Sequence, residues 1–370
     1  MNSNLDHMKL IILFICFTMI TQSALAQLSK KLDSVLSAAT QPGEPGIALS
    51  VERNGKIRYK RGFGLDNLNG KELSASTNFR MASVSKQFTA MCILLLEKDG
   101  KVSFDDPISR FFSEIPASVG NKVLLRHLLT HSSGVIDYEK IMDDSKTTQL
   151  LDADVLSLLS TQDTTYFTPG SKFRYSNSAY ALLALITERV SGQTFPQFIK
   201  DRIFNPLKMK YSLIYEASTP ITNRAIGFAR DKNKQLYAND QSSTSAVEGD
   251  GGVYTSLNEY RKWTHALWKG TLVNLSDVMK RLNFPIKEVT GSFYGPGWFY
   301  FDKDQPSLFH SGSTCGFSTF SINIPGQKTS IVYYSNIANN PAPWKKILEI
   351  LESEGIGNPA QVFQLHELTR

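Results

Sequence analysis

Residues 79–98 read Phe79-Arg80-Met81-Ala82-Ser83-Val84-Ser85-Lys86-Gln87-Phe88-Thr89-Ala90-Met91-Cys92-Ile93-Leu94-Leu95-Leu96-Glu97-Lys98. The pattern predicts one long helix, carrying Phe88, Met91, Leu95 and Leu96 and stopped by Gly100. A helix apolar along its length belongs in a core. At its head stand Ser83 and Lys86. Residues three apart share a helix face, so the lysine is placed beside the serine hydroxyl. That hydroxyl is a weak nucleophile until a neighbouring base or charge takes its proton. A lysine desolvated in a cleft does this, because burial lowers its pKa. The positive end of the helix dipole also favours negative charge developing at Ser83. Alone, S-x-x-K is a weak motif, since a capping serine and a solvated lysine give the same letters.

Outward from this helix the chain changes character. Residues 28–40 predict a helix, with Leu28, Leu32, Val35 and Leu36 on one face, ended by Gln41-Pro42-Gly43. Residues 46–53 and 56–65 predict strands joined at Asn54-Gly55, a strong hairpin turn. Helices are expected over 123–130, 153–160, 178–191, 195–204 and 256–268. Strands are expected over 292–301, 308–311, 316–324 and 328–335, and a closing amphipathic helix over 343–354. Sheet elements at both ends with helices between predict a discontinuous α/β part (about 27–99 and 246–345) and a helical part (about 100–245). Residues 346–370 would finish the chain as helix and tail. A cleft between two such parts is a favoured ligand site.

Two more constellations carry chemistry. Tyr175-Ser176-Asn177 follows the turn Thr168-Pro169-Gly170 and precedes a helix. Tyr175 offers a phenol for proton transfer, and Asn177 offers a donor and an acceptor to an amide or ester. His310-Ser311-Gly312 closes a strand, where the glycine lets backbone approach a ligand. The N–H of Ser313 with that of Ser83 would make an oxyanion hole.

Together and in this order the three motifs resemble the active-site signature of the serine β-lactamase and penicillin-binding protein superfamily. The Y-x-N form looks like the class C β-lactamase branch and its D,D-peptidase and esterase relatives. Arg126 to Gly134, Phe204 to Met209 and Gly249-Asp250-Gly251-Gly252 match segments frequent in that family. The resemblance covers roughly residues 30–340. It implies a β-lactamase-like α/β fold, an antiparallel sheet flanked by helices plus an inserted all-helical domain. It implies Ser83 as acylated nucleophile, Lys86 as its activator and Tyr175 as proton shuttle. Asn177, His310, Gly312 and Ser313 then bind substrate. General-base duty is left between Lys86 and Tyr175. His310 stands where many members have lysine. A mostly neutral histidine there attracts a β-lactam carboxylate poorly, which favours a peptidase, esterase or amidase, and a D,D-peptidase/esterase-like enzyme acting on a D-amino-acid-containing peptide or an ester is expected. A β-lactamase proper and a non-catalytic binding or scaffold protein are the alternatives. The segment holding His127 and His131 is expected to be structural, and Tyr294, Trp298 and Tyr300 to be packing.

The 370 residues carry a net charge of +6, with only short basic runs such as Lys30-Lys31 and Lys345-Lys346. No basic cluster joins a nucleic-acid module, so a small-molecule or peptide substrate is expected and no nucleic acid. Lys9, the apolar run Leu10 to Ile20 and Ala24-Leu25-Ala26 form a signal-peptide pattern over residues 1–26, cut after Ala26. The run is short for a membrane span, so a secreted or periplasmic protein is expected. Of the remaining cysteines, Cys92 and Cys315, neither sits in zinc-ligand spacing, and two free, mostly buried thiols are expected. The chemistry calls for no cofactor and no metal. The oligomeric state is left open.

Overall fold

The turn at Asn54-Gly55 closes a hairpin of β1 (Ile47–Arg53) and β2 (Lys56–Phe63). Both turn residues take positive φ, 51° and 72°, which matches the twist of the flanking strands. In this computed structural model, residues 7, 26–143, 145, 147–301, 306–338, 342–356, 364–366 and 368 are described. The expected signal segment and most of the chain after residue 356 lie outside them.

Six strands from the far end of the chain complete the sheet. They are β3 (Phe284–Ile286), β4 (Ser292–Gly295), β5 (Trp298–Phe301), β6 (Ser307–Thr314), β7 (Phe317–Ile324) and β8 (Thr329–Ser335). Their order is β2-β1-β8-β7-β6-β5-β4-β3, antiparallel throughout. The first hairpin therefore docks on the last strand, with Ile47 opposite Ser335.

Helices cover both faces. Those that matter here are α1 (residues 26–38), α2 (Lys86–Lys98), α3 (Asn177–Ser191), α4 (Glu248–Gly251), α5 (Leu257–Lys269) and α6 (Ala342–Ser353). Tyr333 and Tyr334 are neighbours on β8 and so face opposite sides of the sheet. Tyr333 stacks on Phe320 at 5.2 Å beneath Trp344 of α6. Tyr334 packs edge-on against Tyr260 of α5 and tilts against Phe79. With both faces covered, every residue of β7 and β8 is buried. Gln87 ties α2 to this assembly. Its amide oxygen accepts from Tyr260 Oη at 2.7 Å and Trp263 Nε1 at 3.0 Å, and its Nε2 donates to Ser321 Oγ at 3.1 Å.

The mixed α/β architecture, antiparallel sheet with flanking helices, is the one expected. Between its two halves the chain carries short helices, the long α3 and extended loops, with short strands at Leu213–Ile214, Phe228–Arg230 and Leu236–Ala238. Local boundaries differ where tertiary contacts override the pattern. The stretch 79–98 is not one helix: Phe79–Arg80 is a short strand paired with Tyr254 and Thr255. Ala82 then takes φ 48°, which no α-helix contains, and residues 82–85 form a 3-10 turn before α2. The expected strand 292–301 is two strands, because Pro296-Gly297 turns the chain with Gly297 at φ 92°. The expected helix 195–204 is α-helical over Phe195–Ile199 and continues as a π-helical turn over Lys200–Phe204. β3 and a helix at Leu275–Arg281 had no sequence signal strong enough to predict them. Cys92 is buried, Cys315 is half-buried, and both are free. Among the described residues, no helix is long and apolar enough to cross a membrane.

Candidate active site

In a 3-10 turn, side chains three apart eclipse one another, so Ser83 and Lys86 still meet although Ser83 lies outside α2. Lys86 is fully buried, and the three donors of its ammonium meet three acceptors. Nζ donates to Ser83 Oγ at 3.2 Å, to Asn177 Oδ1 at 2.8 Å and to the Asp250 carbonyl at 2.8 Å. Burial pushes its pKa down to about 8, against the pull of the Asp250 and Glu139 carboxylates. Burial likewise lifts Asp250 above the usual carboxylate range, so desolvation outweighs the attraction between the two.

α4 brings Asp250 to this point. Gly249 lets it pack on α3, since a Cβ there would lie 2.3 Å from the Tyr180 carbonyl oxygen. Thr89 Oγ1 donates to the Gly249 carbonyl, and the Asp152 carboxylate accepts the N–H groups of Glu248 and Gly249. Tyr138 Oη donates to Asp250 Oδ2 at 3.0 Å.

Ser176 caps α3, its hydroxyl accepting the Ala179 N–H at 3.1 Å. The cap fixes Asn177 in the first turn, where its amide bridges two partners. Oδ1 faces Lys86, and Nδ2 donates to Glu139 Oε1 at 2.5 Å. His131 steadies the segment from behind: its Nδ1 accepts the Ser176 N–H at 3.1 Å and its ring lies 4.3 Å from that of Tyr175. Burial, with Lys86 and His310 close by, holds the His131 pKa well below its ordinary value. The Tyr175 hydroxyl is buried, and its pKa is driven well above the phenol range by that burial. Ser83 is the neighbour that draws it back, yet no hydrogen bond of ordinary geometry joins the two hydroxyls. The Lys86 ammonium stands 4.9 Å from the Tyr175 ring centroid.

β6 forms the opposite wall. Gly312 lies against the 3-10 turn so closely that a Cβ would meet the Met81 carbonyl oxygen at 2.5 Å. The β6–β7 hairpin has a two-residue turn, with Thr314 opposite Phe317 and Ser313 opposite Ser318. The pair closing such a turn is hydrogen-bonded and the next pair is not, so the Ser313 N–H faces away from β7. Pairing with β5 ends at Phe309, so that edge of Ser313 is open. Ser313 is exposed and lines a cleft of about 220 Å³ together with Ser83, Asn177, Glu139 and Asp250.

Ser83, Lys86, Tyr175 and Asn177 thus come together, and Ser313 faces them. His310, expected at substrate, is fully buried behind them. It shares the inward face of β6 with Gly312, walled by the rings of Tyr175 (6.0 Å) and Phe299 (5.5 Å). Its Nδ1 donates to the Ser311 carbonyl at 2.6 Å, and Tyr294 Oη lies 3.3 Å from its Nε2. Burial and the nearby Lys86 push its pKa down to about 3, so the ring is neutral. Tyr294, Trp298 and Tyr300 are buried packing residues, as expected.

The Beta-lactamase family model matches residues 26–351. The chain belongs to the Beta-lactamase family. As a member it is a serine hydrolase, with an acyl-enzyme superfamily around it. It is 28% identical over 338 residues to Penicillin-binding protein 4* of Bacillus subtilis, covering 86% of this chain and 73% of that one. The chain spans 66 to 73% of the length of such relatives. The octameric penicillin-binding protein homologue from Pyrococcus abyssi has the same fold at TM-score 0.77 and 24% identity, covering 91% of this chain and 78% of that one. So does the D-amino acid amidase from Ochrobactrum anthropi SV3, at TM-score 0.72 and 22% identity, with 89% and 99% covered.

Sequence reasoning did not single out Tyr138, Glu139 or Arg80, and it placed Asp250 and His131 only in family-like segments. Asp250 sits in a Gly-Asp-Gly-Gly run, the one local signal pointing to it. Tyr138 and Glu139 reach the site across more than 30 residues of chain, and nothing local marks them.

Proposed function

We propose that this hydrolase acts through an acyl-enzyme on Ser83, cleaving amide or ester bonds of small peptide-like or ester substrates outside the cytoplasm. One observation carries the reading: a fully buried lysine, its pKa pushed down to about 8, with Nζ 3.2 Å from a half-buried serine hydroxyl. At neutral pH a useful fraction of Lys86 is unprotonated. Neutral Nζ takes the Ser83 proton as Oγ bonds to the substrate carbonyl carbon. The N–H groups of Ser83 and Ser313 hold the oxyanion. Tyr175, kept protonated by burial, suits passing a proton to the leaving nitrogen or oxygen as its bond to carbon breaks, and Lys86 replenishes it. Water then releases the acyl group. Base duty falls to Lys86, since a phenolate at Tyr175 is disfavoured. Asn177 holds the substrate amide. The peptidase, amidase or esterase reading is favoured over a β-lactamase because the histidine on the strand wall is buried and neutral. Export rests on the signal-peptide pattern of residues 1–26.

A fluorophosphonate probe tests the reading. Wild-type protein is expected to gain one covalent adduct, mapped to Ser83, and Ser83→Ala none. Equal labelling of both proteins refutes it. Fast turnover of nitrocefin would shift the substrate class to β-lactams.

A further inference from the structure

An unprotonated lysine keeps two N–H groups and one lone pair, and the lone pair is what takes a proton. Around Lys86 Nζ stand Ser83 Oγ at 3.2 Å, Asn177 Oδ1 at 2.8 Å and the Asp250 carbonyl at 2.8 Å. A carbonyl oxygen accepts and never donates, so Asn177 Oδ1 and the Asp250 carbonyl draw the two N–H groups to themselves. The lone pair is left facing the Ser83 hydroxyl. The Asp250 carbonyl belongs to the backbone of α4 and is fixed there. The Asn177 amide is a side chain, and half a turn of it would put Nδ2 against Nζ. An N–H in that place captures the lone pair, and Ser83 loses its base.

Two consecutive residues hold the two acceptors. Tyr138 Oη donates to Asp250 Oδ2 at 3.0 Å, and Glu139 Oε1 accepts from Asn177 Nδ2 at 2.5 Å. Both residues line the Ser83 cleft. Their segment is tied to the first turn of α3, where Ser178 Oγ accepts the Tyr138 N–H at 2.8 Å and donates to the Ile136 carbonyl at 2.8 Å. The partners of an amide decide which way round it sits. A carboxylate accepts and cannot donate, so it is satisfied by Asn177 with Nδ2 turned toward it.

Resting on the acyl-enzyme reading of Ser83, we infer that Glu139 is a positioning residue: it locks the Asn177 amide with Oδ1 toward Lys86 and so aims the Lys86 lone pair at the Ser83 hydroxyl. The second N–H of Asn177 Nδ2 stays available to substrate. Glutamine in place of Glu139 forms no such lock. Its amide donates as well as accepts, so it satisfies Asn177 in either orientation.

The test reads the rate at which a fluorophosphonate modifies Ser83 across pH. Oγ bonds to phosphorus, Nζ takes the hydroxyl proton and fluoride leaves. The probe offers no amide to Asn177, so the rate reports on the base. Glu139 is exposed, and replacing it leaves the packed core untouched. The wild-type rate is expected to rise through about pH 8 to a plateau. The Glu139 carboxylate raises the Lys86 pKa, so Glu139→Gln moves the rise toward acid. On the plateau Lys86 is already neutral, and the amide orientation alone decides the rate. There Glu139→Gln is expected to be about 3- to 10-fold slower, the worth of one hydrogen bond. Glu139→Gln combined with Asn177→Asp reverses the bond: the glutamine amide donates to a carboxylate that offers Lys86 an oxygen whichever way it turns. This double variant is expected to recover most of the wild-type plateau, with the rise moved toward alkali by the anion now touching Lys86. A Glu139→Gln plateau equal to wild type overturns the proposal, and so does a double variant no faster than Glu139→Gln. A second readout needs no chemistry. In the Ser83→Ala protein, adding Glu139→Gln is expected to shift or split the NMR signals of the Asn177 side-chain amide, and unchanged signals overturn the proposal whatever the labelling shows. Absent labelling of wild-type Ser83 removes the acyl-enzyme reading instead and leaves the Asn177 lock measurable.

Discussion

Replacing Gly312 by alanine tests whether the cleft depends on how closely β6 approaches the 3-10 turn. The added Cβ would lie 2.5 Å from the Met81 carbonyl oxygen, 2.7 Å from Thr319 Oγ1 and 3.0 Å from Ala82 Cβ. Contacts under 3.0 Å essentially never occur for real Cβ atoms, so strand and turn must separate by at least 0.5 Å, the difference between 3.0 and 2.5. The Met81 oxygen has little freedom, because it also accepts from Thr319 Oγ1 at 2.8 Å. Overpacking of this kind costs about 1–3 kcal/mol, and roughly 1–4 °C in Tm for a chain of this length. The functional effect is larger. Ser83 is one residue from Ala82 and Ser313 one residue from Gly312, so the gap opens between the two N–H groups assigned to the oxyanion. Misplacement by ~1 Å costs on the order of a hundredfold in rate, and half of that about tenfold or more. The assay is kcat/KM on an activated ester beside a thermal melt, with Gly326→Ala as control, since a Cβ at Gly326 meets nothing within 4 Å. The expected result is a 10- to 100-fold loss of kcat/KM with a Tm fall of a few degrees. Gly312→Ala with unchanged kcat/KM would refute the placement of β6 as a wall of the site.

Two further outcomes follow from the same contacts. If neutral Lys86 is the base, kcat/KM rises with pH through about 8. Asp250 raises the Lys86 pKa, so Asp250→Asn lowers it and moves that rising limb toward acid, by on the order of one pH unit. A limb that stays in place or moves toward alkali contradicts the role of Lys86. Gln87→Leu leaves the Tyr260 hydroxyl and Trp263 N–H without their shared acceptor. It is expected to destabilise the fold by about 2–4 kcal/mol in urea titration, and a midpoint matching wild type would show the buried amide to be dispensable.

Much of the site was legible because its pieces are local. The three-residue spacing of Ser83 and Lys86 works in a 3-10 turn as in an α-helix, so the pair survived a wrong boundary. Tyr175-Ser176-Asn177 was legible as the entry to a helix expected from 178, and the structure starts that helix one residue earlier, at Asn177, with Ser176 as its cap. Asn54-Gly55 is a hairpin turn in any context. What escaped the sequence depends on long separations. The two-residue strand Phe79–Arg80 exists only because Tyr254 and Thr255 pair with it, and alone its letters extend the helix. His310 looks like a ligand-facing strand end by analogy with the lysine of related chains. Its burial follows from which face of β6 it occupies, and that is set by Phe299 and Tyr175. Asp250 and Glu139 change the electrostatics of Lys86 from elsewhere in the chain, beyond the reach of any short motif.

The sheet order bears on when this protein becomes itself. β1 is hydrogen-bonded to β8, and Ile47 and Ser335 are 288 residues apart, the difference of their numbers. β6, which walls the cleft, is itself held in place by β7 and β8. Until the last strand has been synthesised, the first hairpin has one edge unpaired and the cleft has one wall missing. So long a loop closure is slow and leaves exposed strand edges in the meantime. A ribosome-bound chain shorter than about residue 335 therefore carries Ser83 and Lys86 in sequence but not in register. On the acyl-enzyme reading proposed above, Ser83 stays unreactive for nearly the whole of the chain's synthesis.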